Sequence, residues 1–329
     1  MRKHFVGILA VLCAMTVGVP DAAAVTRKAQ KHAKTKVRPQ AKATPLVKAR
    51  FASKAAASVA AIPARHRAQS QRSAADLGEL DLKSNVVLVL DNATGRTVVS
   101  KNVNDVQPIA SITKLMTAMV VLDSRQALDS RIAISDDDID TERGSRSRLK
   151  VGAELSRGEL LHLALMSSEN RAAHALGRSH PGGMPAFVAA MNEKARELGM
   201  ERTRFVEPTG LSSANVSSAA DLARLVRAAH EVDLIRRYST DQAYQVNIFG
   251  RQLRFHNTNR LVAAEGWDIG LSKTGFIQEA GRCLVMYARV DGRSLTFVLL
   301  DSWGKLSRVA DANRIRKWLT SAAEAARPG

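Results

Sequence analysis

From residue 80 onward, short apolar runs and longer amphipathic stretches alternate, and their order predicts the fold. Val86 to Leu90 is an unbroken apolar run, which predicts a strand buried on both faces. Asn92-Ala93-Thr94-Gly95 reads as a turn, and Thr97 to Ser100 as the returning strand. At Ser111 the period becomes helical and runs to about Ser124, with Leu115, Met116, Met119 and Leu122 on the inner face. The middle of the chain is helical. Ser156 to Ser167 is one apolar helix, Asn170 to Gly177 another, and Met184 to Leu198 a third that stops at Gly199. Ser218 opens a further helix, with Asp221 three residues on in the pattern of a capping box. Strand signals return late: Ile269 to Thr274, Leu284 to Val290, the two-residue turn Asp291-Gly292, and Leu295 to Leu300. A last helix, from about Leu306 to Ala323, places Leu306, Val309, Ala312, Ile315 and Leu319 at helical spacing against the sheet. No internal repeat is visible. The pattern predicts an α/β (α+β) fold, with a sheet built from both ends of the chain, a helical insert between them, and helices on the sheet faces.

The chain before residue 80 has a different character. Arg2 and Lys3, the apolar stretch Phe5 to Val19 and the small residues Ala22-Ala23-Ala24 form a secretory signal peptide over residues 1–24. Leu12 stands before Cys13 where a lipoprotein signal would carry a small residue, which argues against a lipid anchor. No later stretch is long and apolar enough to span a bilayer. Residues 25–79 read as a basic disordered linker: Ala, Lys, Arg, Gln and Ser dominate, Pro39, Pro45 and Pro63 are scattered through, and large apolar residues are few.

Charge locates itself in that segment. The chain carries 49 Lys and Arg against 31 Asp and Glu, a net +18. Residues 25–75 supply +13 of it with no acid, and residues 76–329 only +4. Residues 25–75 are therefore either a solvated tether or an electrostatic hold on an anionic wall or membrane surface. Nucleic acid is excluded as a partner by the leader that exports the chain. After cleavage Cys283 is the one remaining cysteine. It reads as a buried small residue of a strand rather than a nucleophile. The histidines His162, His174, His180, His230 and His256 show no zinc-ligand spacing and read as helix-surface or core-edge residues. No Gly-rich phosphate loop is present.

The candidate chemistry lies in three motifs. Ser111-Ile112-Thr113-Lys114 puts a serine and a lysine three residues apart, on one face of a helix, where the amine can take the hydroxyl proton. A chain of this length should hold about one such pair by chance, and a second exists at Ser302 and Lys305. Ser111 opens an amphipathic helix behind Pro108, whereas Ser302 reads as a loop residue. Lys114 must be neutral to act as a base. Burial, the positive helix N-terminus and a second cation, Lys273, would each favour that. Ser168-Glu169-Asn170 stands where one helix ends and the next begins. Ser168 would pass a proton to a leaving amine and Asn170 would hold a substrate amide, with plain helix capping as the alternative. Ser213-Ala214-Asn215 repeats the pattern as a decoy. Lys273-Thr274-Gly275 occurs once. On a sheet-edge strand it offers a cation, a hydroxyl and a bare backbone against which a substrate lies as an added edge, or it is simply a strand end. The backbone N–H groups of Ser111 and Phe276 would form an oxyanion hole.

Ser111, Ser168 and Lys273 come in that order, the second interval nearly twice the first. This order and spacing resemble the penicillin-recognising serine hydrolases. The stretches Ile109 to Met119, Leu165 to Ala173, Phe205-Val206-Glu207-Pro208-Thr209-Gly210-Leu211 and Lys273 to Phe276 are similar to the low-molecular-mass D-alanyl-D-alanine endopeptidases of the penicillin-binding protein 7 type (peptidase family S11). The likeness runs from about residue 80 to 322 and implies a catalytic domain over residues 80–325. The implied fold is the beta-lactamase/DD-peptidase type, with an antiparallel sheet. The resemblance implies a periplasmic enzyme, soluble or loosely held at the membrane, that cuts D-Ala–meso-diaminopimelate cross-links between peptidoglycan stem peptides. It implies no metal and no cofactor, and beta-lactams as covalent inhibitors. By the same resemblance Ser111 is acylated, Lys114 is the base, Ser168 and Asn170 assist, and Lys273 and Thr274 bind the substrate carboxylate. Gly275 is followed only by positions 276–329, too short a stretch for the second all-β domain and amphipathic anchor common among the carboxypeptidases of this superfamily. Three rivals remain. A D-alanyl-D-alanine carboxypeptidase uses the same residues. A beta-lactamase would need Glu207 to activate its deacylating water. A catalytically dead wall-binding protein would use the basic segment alone.

Overall fold

The computed structural model describes residues 80–325; residues 1–24 and 25–79, where the sequence predicts a signal peptide and a basic linker, lie outside them. Eleven strands and seven α-helices follow in chain order among the described residues. β1 (Ser84–Asp91) and β2 (Thr97–Lys101) form the first hairpin. β3 (Gln107–Pro108) leads into helix α1 (Thr113–Asp123). β4 (Arg131–Ala133) pairs with β5 (Glu154–Ser156). Helices α2 (Arg157–Met166), α3 (Asn170–Arg178) and α4 (Gly183–Glu197) follow. β6 (Val216–Ser217) returns to β3, and α5 (Ala219–His230) and α6 (Asp233–Thr240) complete the insert. A hairpin of β7 (Ala243–Ile248) and β8 (Arg251–His256) precedes β9 (Asp268–Ile277), β10 (Gly281–Val290), β11 (Arg293–Ser302) and α7 (Ser307–Ala325).

The main sheet has five antiparallel strands in the order β2-β1-β11-β10-β9. Both ends of the chain meet in it, as the apolar runs predict, because β1 pairs directly with β11. The pleat divides its side chains by a period of two. Val87, Val89, Leu284, Met286, Phe297 and Leu299 pack against Ala312, Ile315 and Leu319 of α7. Val86, Leu88, Cys283, Val285, Val298 and Leu300 face the helical insert on the other side. Cys283 is buried there, and burial pushes its thiol up to about 11, so it is the inert core residue the sequence suggests.

Several local expectations need correction. α1 has no single inner face: every residue from Thr113 to Val121 is buried, because α2, α3, α4 and α5 all pack around it. Leu306 is 54% exposed and precedes α7, so the stripe on that helix begins at Val309. Ser302 is the buried last residue of β11, paired with Ser84, and not a loop residue. The N-cap Ser218 accepts a hydrogen bond from the Asp221 amide, but the reciprocal half of a capping box is missing: the Asp221 carboxylate turns to the Arg202 amide, the Thr203 hydroxyl and Arg224. His162 also departs from the edge position, lying buried between the rings of Tyr238 and Tyr244. No described helix is long and apolar enough to cross a membrane.

Candidate active site

The three motifs, far apart in sequence, meet where α1 begins, α3 begins and β9 forms the sheet edge. Ser111 sits on a short 3₁₀ turn, Ala110–Ile112, that feeds directly into α1. Ala110 has φ +49°, in the left-handed region, and its carbonyl accepts from the Thr113 hydroxyl at 2.8 Å. Two glycines let the turn sit so tightly. A Cβ on Gly210 would lie 1.9 Å from the Ala110 carbonyl oxygen, and Gly210 itself has φ +81°. A Cβ on Gly275 would lie 3.0 Å from the Ile109 carbonyl oxygen and 3.1 Å from the Ser111 nitrogen. The bare backbone expected to receive a substrate on β9 thus also seats the Ser111 turn. Phe276, the next residue of β9, follows this close approach; its backbone N–H and that of Ser111 were expected to face an oxyanion.

Lys114 lies in the first turn of α1, and because that helix is enclosed, its whole side chain is buried. Its Nζ is 2.9 Å from Ser111 Oγ, 2.7 Å from Asn170 Oδ1 and 2.5 Å from the Thr209 carbonyl oxygen. Two of these partners can only accept. A neutral amine has two N–H donors and one lone pair, so it satisfies both and leaves the lone pair for the serine hydroxyl. Burial brings the Lys114 amine down to about 7 from 10.5, although Glu207 and Glu169 pull it upward. The fully buried Lys273 is also held well below its ordinary value, by burial first, then by the Lys114 charge and then by Arg308; repulsion between two amines is mutual, so a charged Lys273 would in turn favour the neutral form of Lys114.

Lys273 Nζ donates to Ser168 Oγ at 2.9 Å and to the Thr274 carbonyl at 3.0 Å. The Thr274 hydroxyl donates to Thr258 Oγ1 at 2.6 Å. Ser168 has φ +63°, a strained value for serine, and its side chain caps nothing. The N-cap of α3 is Glu169, which makes no side-chain cap bond. The capping alternative therefore fails. Asn170 uses both ends of its amide, accepting from Lys114 and donating to Ser145 Oγ at 3.0 Å.

Several supporting residues escape the sequence reading. The Glu207 carboxylate accepts from the backbone N–H of Thr209, Gly210 and Ser212, from the Thr209 hydroxyl and from Asn215 Nδ2. That loop holds the Thr209 carbonyl on Lys114. Asn215, half of the decoy, is a buried post that also reaches the Thr113 hydroxyl and the Glu207 carbonyl. Glu169 accepts from the Ser147 hydroxyl at 2.7 Å, and burial raises its carboxyl. Arg308, at the start of α7, donates to the Gly275 carbonyl at 2.8 Å. Their one sequence signal was the Glu207-Pro208-Thr209-Gly210 turn. Among the described residues no group of His, Cys, Asp and Glu could hold a metal ion.

Residues 69–303 match the D-alanyl-D-alanine carboxypeptidase family, peptidase S11. The chain belongs to that family. It is 49% identical over 241 residues to a D-alanyl-D-alanine endopeptidase of Pseudomonas aeruginosa, covering 73% of this chain and 78% of the relative. It is 43% identical over 262 residues to the D-alanyl-D-alanine endopeptidase of Escherichia coli K12, covering 79% and 84%. Among solved structures, the Streptomyces K15 DD-transpeptidase superposes with a TM-score of 0.67 at 27% identity, over 72% of this chain and 97% of that one. Family membership makes the chain a hydrolase, and the antiparallel sheet flanked by helices is the DD-peptidase fold that the resemblance implies.

Proposed function

We infer that the chain is a serine DD-endopeptidase that hydrolyses D-Ala–meso-diaminopimelate cross-links of peptidoglycan through an acyl-enzyme on Ser111. The observation that carries this reading is Lys114, a buried amine whose two other partners can only accept, leaving its lone pair to the serine. The choice of cross-links over chain ends rests on relatives. Those named endopeptidases share 41–49% identity with this chain, and the carboxypeptidases that follow share 32% or less.

In the mechanism the Ser111 proton passes to Lys114 as Oγ attacks the D-Ala carbonyl. The oxyanion faces the backbone N–H groups of Ser111 and Phe276. Collapse breaks the C–N bond, and the leaving amine takes a proton through Ser168. Water then hydrolyses the ester. A cross-link amide is made on the D-centre of diaminopimelate, whose own carboxylate stands where the carboxylate of a terminal D-Ala would stand. Lys273, with Thr274 beside it and Arg308 near, suits that carboxylate. An arriving anion would also favour the charged form of Lys273, which burial otherwise opposes. Asn170 holds the substrate amide. Beta-lactams would acylate Ser111 and remain.

The beta-lactamase alternative loses ground, because the Glu207 carboxylate is engaged by five donors and holds no free face for a water. The carboxypeptidase alternative keeps one support, the family's own description. We place the enzyme in the periplasm, delivered by the leader at residues 1–24, with residues 25–79 as its tether and residues 80–325 as its catalytic domain. The deciding experiment offers a cross-linked muropeptide dimer and, separately, a pentapeptide monomer, with Ser111→Ala as control, and weighs the products. Dimer split to monomers supports the endopeptidase. Loss of one alanine from the pentapeptide alone makes it a carboxypeptidase, and no Ser111-dependent product from either leaves a wall-binding protein.

A further inference from the structure

One ion pair joins the helical insert to the sheet beside the active site and has no part in the chemistry above. Arg143 lies on the loop between β4 and β5, and its Nη2 is 2.9 Å from Glu279 Oε1, on the turn between β9 and β10. Its Nε donates to the Leu211 carbonyl. The loop is fixed: Asp140 accepts from the amides of Glu142, Arg143 and Ser145, and Ser145 in turn meets Asn170. Both charged ends stay accessible, with 26% of the Arg143 side chain and 47% of the Glu279 side chain exposed. A cavity of about 180 Å³ opens beside them, lined by Asp140, Glu142, Asn170, Thr209 and Leu211 among others.

The direction of a bound stem peptide follows from charge. A substrate added to the edge of β9 puts its leaving carboxylate at Lys273 and Thr274. The residues preceding the scissile D-Ala then run the other way, past Phe276 and toward Glu279. Three residues of strand cover about 10 Å. One residue of stem backbone plus a four-carbon side chain covers about the same. The residue before D-Ala in the stem is diaminopimelate, and its side chain ends in one ammonium and one carboxylate.

We propose that Arg143 and Glu279 form the subsite for that zwitterionic end, Glu279 taking the ammonium and Arg143 the carboxylate. The proposal rests on the endopeptidase reading and names what selects its substrate. The pair suits the task because an exposed ion pair is weak and opens readily for a ligand that replaces both partners. Guanidinium and carboxylate together also match a zwitterion better than either would alone.

The test compares cleavage of cross-linked dimers whose donor stem carries diaminopimelate, diaminopimelate amidated on its side-chain carboxylate, or lysine. The wild-type enzyme should favour the first by about tenfold or more in kcat/KM. Glu279→Gln and Arg143→Gln should bring that ratio toward one, through loss on the diaminopimelate substrate. Acylation of Ser111 by benzylpenicillin, whose acyl side chain carries no ammonium or carboxylate for the pair, reports whether each variant is folded. Equal cleavage of the three dimers by the wild-type enzyme overturns the proposal, as does a ratio unchanged in both variants. So does a parallel rise or fall on all substrates, which would mark the pair as a latch. Penicillin acylation without cleavage of any dimer would instead sink the endopeptidase reading itself.

Discussion

Acylation of Ser111 by benzylpenicillin should rise with pH through one inflection near 7. Lys114 is fully buried, and burial brings its amine from 10.5 to about 7. That difference corresponds to about 5 kcal/mol against the charged form. With its ordinary value the lysine would be neutral in roughly one molecule in 3,000 at pH 7, and with a value near 7 it is neutral in about half. In the proposed mechanism the neutral form is the base, so the rate should climb with pH and level off about one unit above the inflection. Glu169→Gln tests the electrostatics. Glu169 is one of two carboxylates that pull Lys114 upward, so its loss should move the inflection down by roughly half a pH unit. The assay is the second-order rate of labelling by a fluorescent penicillin from about pH 5 to 9. A flat profile, or one still climbing at the alkaline end, would refute the role of Lys114; an upward move in Glu169→Gln would refute the electrostatics. The same burial predicts a stability effect. Between about pH 7 and 10.5 the unfolded chain binds a proton that the folded chain lacks, so stability rises with pH across that window. Lys114→Met should therefore raise the Tm most at pH 7 and below, with the gain fading toward pH 10.5.

Gly210→Ala should destabilise the fold by at least about 3 kcal/mol and abolish penicillin labelling, because its Cβ would overlap the Ala110 carbonyl at a left-handed φ; thermal unfolding and labelling together check this. Asp138→Asn should flatten the acid limb of the stability curve. Burial would raise the Asp138 carboxyl, but hydrogen bonds from His174, Arg178 and the Ser135 amide outweigh it and bring it to about 2. Its contribution, about 2 kcal/mol, is thus present above about pH 4 and lost as pH falls through 2; chemical denaturation across that range shows it. Cys283 should resist thiol reagents in the folded protein and react only on unfolding, since it is buried and its thiol stands at about 11; mass shifts with and without denaturant decide it.

The sequence carried the strands more reliably than the helix faces. Val86 to Leu90 and Leu295 to Leu300 are apolar without a break because both faces of the sheet are covered, and a strand between two cores has no other composition available. In α1 the same enclosure erases any inner face, since a helix packed on every side leaves no polar stripe to read. Leu306 shows the opposite failure: periodicity extends a helix by one apolar residue although the chain has not yet turned to meet the sheet. At the site, Ser111, Lys114, Ser168, Asn170, Lys273 and Thr274 were legible because few residue types suit the chemistry proposed for them, and the structure brings them together. Their supports were not. Asn215, Glu207 and Ser145 are common polar residues whose importance lies in what they touch. Asn215 finds Thr113, and Ser145 finds Asn170, only once separate segments of the chain have come together. Glu207 meets its own loop, but that loop matters only because α1 packs against it.

The buried amines explain why that support must be so extensive. A polar group in an apolar interior is stable only when its hydrogen bonds are met, and the enclosed start of α1 holds one of the two lysines. Lys114 takes its acceptors from α3 and from the loop shaped by Glu207; Lys273 takes its acceptors from Ser168 and from its own strand. Each motif thus completes the valence of another. Moving any one of them leaves a buried amine without its acceptors, at a cost in stability. The three motifs are therefore one structural unit as well as the one chemical unit proposed above. A substitution at Asn170 should show this by lowering stability and penicillin labelling together, where an isolated substrate contact would lower labelling alone.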